Sequence, residues 1–145
     1  MVVGNGEYLF RLRCLNNNKM KYIGFIKNYH PNIKNLKLFK DLNFGITYSD
    51  KKEIIKYLEQ GTKIAVSMHV IDSLFPTDNN IIGGLIYICD GEWVWPNYLN
   101  YYLEHYDIEI DKDFISHIKN SDYKHAKLDN SSLERIMQEF ECFIE

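Results

Sequence analysis

The stretch Ile81–Pro96, IIGGLIYICDGEWVWP, decides the fold. Its apolar run Ile81–Cys89 is followed by Asp90 and Gly91 and then by a short run with two tryptophans. An Asp-Gly pair between two such runs is a strong signal for a β-hairpin, with both turn residues at positive φ in a type I′ turn. Pro96 lacks a backbone N–H, which predicts that it lies in the first turn of the next helix.

Helical and strand periodicities surround this hairpin. Residues 51–60 place Ile54, Ile55 and Leu58 on one helical face, and residues 63–68 then alternate as a half-buried strand does. Further helices are predicted over 96–106, over 111–121 and from 131 onward. The sequence therefore predicts one α+β domain over 1–145, in which a small mixed or antiparallel sheet containing the Asp-Gly hairpin packs with several helices and a helical C-terminus.

Composition narrows the class of protein. The chain has 145 residues, 46% hydrophobic and 26% charged, which is typical of one globular domain. We find no leader peptide and no apolar stretch long enough for a membrane span, so we expect no membrane partner. Cys14, Cys89 and Cys142 are odd in number and lack CxxC spacing. This pattern predicts three free thiols in a reducing cytoplasm, with no metal and no cofactor.

Charge is distributed unevenly along the chain. Residues 1–75 contain twelve Lys/Arg and six Asp/Glu, whereas residues 76–145 contain five and fourteen, and the formal net charge is −3. The basic run Arg11–Lys40 holds eight cations and several aromatic residues, but no nucleic-acid-binding motif accompanies it. Because the net charge also opposes contact with phosphates, we do not expect direct binding to nucleic acid.

Motifs for catalysis are not evident. The five histidines form no HExxH or HxH pattern, and no serine lies in a GxSxG motif. We therefore predict that the protein is not an enzyme. A small enzyme whose residues meet only in space stays as an alternative.

The densest unusual segment, Trp93–Tyr106, contains six aromatic residues among carboxylates. Helical spacing predicts that Trp95, Tyr102 and Tyr106 pack the hairpin against the following helix. The remaining tyrosines and nearby acids suit a surface that grips a basic partner. The predicted contact residues are Tyr98, Tyr101, Glu104, Asp107, Glu109 and Asp111. Alternatively, the aromatic motif is scaffold, and the basic run contacts an acidic partner.

Residues 46–118 resemble small bacterial immunity proteins that are encoded beside polymorphic or contact-dependent growth-inhibition toxins. Three motifs support the resemblance: a helix ending in YL-x-x-G at Gly61, a DG-x-W-x-WP turn, and an L-x-YY helix. The chain departs from the family at Asp111, where a proline is expected, although Asp111 still suits a helix N-cap. The matching residues are Asp90, Gly91, Trp93, Trp95, Pro96, Leu99, Tyr101 and Tyr102.

This resemblance implies a cytoplasmic, non-enzymatic inhibitor. Its partner would be the C-terminal domain of a cognate toxin, expected to be a nuclease, whose active site or substrate access it blocks. Independently of the resemblance, an acidic half of the chain suits electrostatic steering toward a basic nuclease. The alternative class is a small protein-binding or regulatory module unrelated to toxins.

Overall fold

A mixed four-stranded sheet forms the centre of the fold. The structure is a computed structural model that describes Cys14 and residues 19–145. The sheet order is β1-β4-β3-β2, with antiparallel β2/β3 and β3/β4 pairs and a parallel β1/β4 pair. The strands are β1 (Lys21–Tyr22), β2 (Thr62–Asp72), β3 (Ile81–Cys89) and β4 (Trp93–Pro96).

Four α-helices pack with this sheet in the described part of the chain. They are α1 (Lys51–Glu59), α2 (Tyr98–Tyr106), α3 (Lys112–Asn120) and the C-terminal α4 (Asn130–Ile144). The α+β class and the helical C-terminus are thus confirmed. Among the described residues, no helix combines the length and the hydrophobicity that crossing a bilayer requires. Arg11 and Arg13 of the basic run, and with them part of the predicted 1–145 domain, lie outside the described residues.

The turn between β3 and β4 departs from the predicted type I′ geometry. Only Gly91 has a positive φ, +104°, while Asp90 does not. Asp90 shapes the turn with its side chain instead, because its Oδ1 accepts the backbone N–H groups of Glu92 and Trp93 at 2.9 and 2.8 Å. The helical placement of Pro96 is also wrong: Pro96 ends β4 opposite Tyr87, and α2 begins at Tyr98.

One part of the core lies where β4 meets α1 and α3. Trp95 is fully buried, and its indole N–H donates to the carbonyl of Leu58 at 3.1 Å. Trp93 is 7% exposed. Both indoles pack on Phe114, with ring centroids 5.4 and 4.9 Å away. The hairpin therefore anchors two helices through its tryptophans.

The cysteine prediction is wrong for two of the three residues. Cys14 and Cys142 form a disulfide, with Cα atoms 5.4 Å apart across a sequence separation of 128. The odd number of cysteines and their wide spacing in the sequence could not show that Cys14 and Cys142 lie together in the fold. Cys89 is free and buried, and burial raises the pKa of its thiol to about 11, so it is an inert core residue.

Candidate protein-binding site

Tyr98 does not lie on the surface, so its assignment as a contact residue is wrong. Its side chain is 0% exposed, and its hydroxyl accepts the backbone N–H of Ile26 at 2.8 Å. The ring also packs on Tyr29, 4.6 Å between centroids. The irregular segment that precedes α1 covers the flank of α2 on which Tyr98 lies. Helical periodicity alone predicts that this flank is less buried. Burial raises the pKa of Tyr98 well above its usual value.

Tyr101 is half-buried, and its hydroxyl is engaged within the protein. Tyr101 and Tyr106 both donate to Oδ2 of Asp78, each at 2.6 Å, and so hold the β2–β3 loop on α2. These two donors keep the pKa of Asp78 well below its usual range and raise the pKa of Tyr106 to about 12. Tyr106 is not a core residue as predicted: it is half-buried and stacks on Phe75 at 3.7 Å.

The other motif residues belong to the scaffold. Tyr102 is fully buried, shares a 2.7 Å hydrogen bond with the hydroxyl of Tyr29, and accepts the backbone N–H of Leu74. At Gly91, a Cβ atom would lie 3.0 Å from the side chain of Leu128, in addition to the positive φ. Together with the buried tryptophans, these contacts place the aromatic motif inside the protein, as the scaffold alternative expects.

Asp90 is the centre of a buried polar cluster. Its side chain is 1% exposed, and its Oδ2 accepts the hydroxyl of Tyr57 at 2.6 Å and contacts Nε2 of His117 at 2.8 Å. Burial and this carboxylate raise the pKa of Tyr57 above its usual value. Because Oδ1 accepts two backbone N–H groups, both oxygens are fully occupied by the protein itself. The cluster therefore fixes the hairpin to α1 and α3.

Four predicted acids form an acidic ridge, which we define as Glu104, Asp107, Glu109 and Asp111. Asp107 ends α2 in the left-handed region at φ 53° and pairs with Lys51 at 2.7 Å, and Lys51 also donates to the carbonyl of Glu104. Glu109 is exposed and accepts the side-chain N–H of Asn43 at 3.0 Å. Asp111 is exposed and caps α3 by accepting the N–H of Asp113. The ridge is thus held in place by caps and contacts rather than by burial.

Glu109 and Asp111 border a groove of about 510 Å³, which the sequence did not predict. Lys34 and Lys37 from the basic run line it as well, so folding places cations beside acids that are about seventy positions away. No local pattern carries that information. The apolar lining includes Ile23, Leu36, Leu42, Leu99, Ile108 and Phe143.

The groove has an apolar lining with charged residues at its edge. An apolar cleft with charges at its edge can bury an anchoring residue of a partner while carboxylates meet a neighbouring cation. Within the described residues, no three His, Cys, Asp or Glu side chains are grouped to hold a metal ion. A scan against protein-family models, a search of curated proteins and a search of solved structures each found no match to this chain.

Proposed function

We propose that this protein is a non-enzymatic immunity protein that binds the C-terminal domain of a cognate bacterial toxin and blocks its active site or its access to substrate. The observation that carries the proposal is the groove: an apolar cleft bordered by the exposed carboxylates Glu109 and Asp111 and by the exposed cations Lys34 and Lys37. A partner can insert an apolar anchor there and place a basic side chain against the ridge. Such an anchor with surrounding charges is the usual form of a binding hot spot.

Charge supports a basic partner, such as a nuclease domain. Glu104, Glu109 and Asp111 are exposed, and residues 76–145 carry an excess of nine negative charges. Complementary charge raises association rates at low ionic strength, which favours rapid capture of a harmful enzyme. Lys51 pairs with Asp107, and Lys34 and Lys37 line the groove together with Glu109 and Asp111. We therefore expect the partner to place cations near these two carboxylates and anions near the two lysines.

The buried motif supports a division between scaffold and contact surface. Trp93, Trp95 and Tyr102 are buried and stabilise the fold. At the groove, Glu109 and Asp111 are exposed and Leu36 is half-buried, whereas lining residues such as Leu99 and Ile108 belong to the buried core. Under this division, the shared motif explains the resemblance to immunity proteins, and the groove selects the partner. We place this binding in the cytoplasm on the resemblance alone, because the Cys14–Cys142 disulfide removes the argument from free thiols.

Two measurements test the proposal: protection of cells from the toxin domain, and binding of the two purified proteins in vitro. Co-expression with the toxin domain encoded beside this gene should rescue growth, and the purified proteins should form a stable complex. Glu109→Lys should slow association by about tenfold at low salt, and Leu36→Trp, which fills the groove, should speed dissociation. The matched control is Glu134→Lys on α4, another exposed glutamate, which should keep the wild-type rates.

Two results would contradict the proposal in different ways. A toxin domain that neither binds nor is neutralised removes the immunity function and leaves the alternative of an unrelated binding module. A complex that Glu109→Lys and Leu36→Trp both leave unchanged keeps the function but moves the contact away from the groove.

A further inference from the structure

The outermost strand of the sheet, β1, has an open edge. Within the described residues, β1 pairs with β4 alone. The backbone N–H of Lys21 donates to the carbonyl of Glu92 at 2.9 Å. The N–H of Ile23 donates to the carbonyl of Val94, also at 2.9 Å. Because alternate residues of a strand direct their backbone groups to opposite sides, the N–H and the carbonyl of Tyr22 point away from β4.

The groove of the proposed function lies at this edge. Tyr22 and the four residues that follow it, 23–26, all line the groove. Tyr22, Ile23 and Gly24 are half-buried, so a partner can reach them. The ring of Tyr22 stacks on Phe143, another residue of the groove, with ring centroids 3.6 Å apart. The open backbone edge and the apolar lining therefore belong to one surface.

Charges of both signs restrict what can bind along this edge. Lys34 and Lys37 come from the segment before α1, and Glu109 and Asp111 come from the segment between α2 and α3. All four side chains are exposed. A wholly apolar partner would remove water from these charges without pairing them, which costs free energy. A segment that carries a cation and an anion beside an apolar residue can pair with both signs.

We infer that an extended segment of the toxin domain binds as an additional strand beside β1, with an apolar side chain in the groove and charged residues of both signs next to it. This inference rests on the proposed function and adds the conformation of the contact segment. Main-chain hydrogen bonds to Tyr22 contribute affinity, while the groove and its charges contribute specificity. A helical segment cannot make the same main-chain bonds, because its backbone groups are already paired within the helix.

Hydrogen exchange of the full chain, followed by NMR for single residues, tests whether the edge is open. In the free protein, the N–H of Tyr22 should exchange at least about tenfold faster than the N–H groups of Lys21 and Ile23, which are bonded to β4. Addition of the toxin domain encoded beside this gene should then slow exchange at Tyr22 by about tenfold or more.

Substitution by proline removes the donor itself. Tyr22→Pro has no N–H at position 22, and proline is tolerated on an edge strand where the N–H faces outward. Tyr22→Ala is the matched control, because it removes the same ring but keeps the N–H. The dissociation constant of the toxin complex should be about tenfold larger, or more, for Tyr22→Pro than for Tyr22→Ala. Urea unfolding of both variants checks that each is folded.

Three results would overturn the added strand. In the free protein, a Tyr22 N–H that exchanges as slowly as that of Ile23 means that the edge is already covered. In the complex, unchanged exchange at Tyr22 means that the partner binds elsewhere. Equal affinities of folded Tyr22→Pro and Tyr22→Ala mean that the N–H makes no bond to the partner. In the last two cases the toxin domain still binds, so the proposed function stands, whereas a toxin domain that does not bind removes both.

Discussion

Replacement of Asp90 by alanine should destabilise the protein strongly while leaving the acidic ridge intact. The carboxylate is 1% exposed and contacts Tyr57, His117 and two backbone N–H groups at 2.6 to 2.9 Å. Asp90→Ala leaves these groups unpaired in a buried place, so we expect unfolding to become easier by about 3–5 kcal/mol. Equilibrium urea unfolding, followed by the fluorescence of the nearby tryptophans, measures this difference.

Asp90→Asn distinguishes the contributions of the two carboxylate oxygens of Asp90. Its remaining oxygen can still accept the turn N–H groups, but its amide offers donors to Tyr57, so the expected loss is about 1–3 kcal/mol. Adding Tyr57→Phe to Asp90→Asn should cost less than Tyr57→Phe costs alone, since the hydroxyl has already lost its acceptor. A loss below about 1 kcal/mol for Asp90→Ala would refute the assignment of Asp90 as the anchor of the hairpin.

Three further predictions concern buried or linking groups. Burial lowers the pKa of His30 to about 4. As the pH drops from about 6.5 to 4, the unfolded chain binds a proton on His30 before the folded protein does, so the free energy of unfolding should fall. Urea unfolding at several pH values should show a shallower fall for His30→Phe than for the wild type. Cys142→Ser should lower stability by about 2–5 kcal/mol under oxidising conditions, and reduction of the wild type should match it in the same assay. Tyr106→Phe removes one donor from Asp78, so an NMR titration should show the pKa of that carboxyl moving up toward its usual value, and the loop should detach at a higher pH than in the wild type.

The elements that depend on local pattern were predictable. The apolar run before Asp90 and Gly91 indicated a hairpin, and the spacing of Ile54 and Leu58 indicated α1, because strand and helix periodicities act within a few residues. The turn type was not predictable from the Asp-Gly pair. Two acceptor bonds from Asp90 Oδ1 replace the backbone geometry that the pair usually adopts.

The features that were not predictable depend on contacts between residues that are far apart in the sequence. Tyr98 lies on a flank of α2 that is polar in sequence, and Ile26, 72 positions earlier, covers it. The disulfide likewise depends on the meeting of the chain's two ends, which Glu139 reinforces by accepting the backbone N–H groups of Lys19 and Met20. Such pairings follow from topology, and no residue spacing along the chain encodes them.

The segment from Asp90 to Asp111 contains residues that stabilise the fold and residues that lie on the surface. The free-energy cost of changing a residue distinguishes the two groups. Changing Asp90 or Trp95 removes buried hydrogen bonds or leaves a cavity, at about 3–5 kcal/mol each, a large part of the stability of a small domain. Changing Glu109 affects an exposed side chain and costs within about 0.5 kcal/mol. Residues at the edge of the groove can therefore be exchanged to fit another partner while the scaffold stays folded, which is the freedom that the proposed function requires.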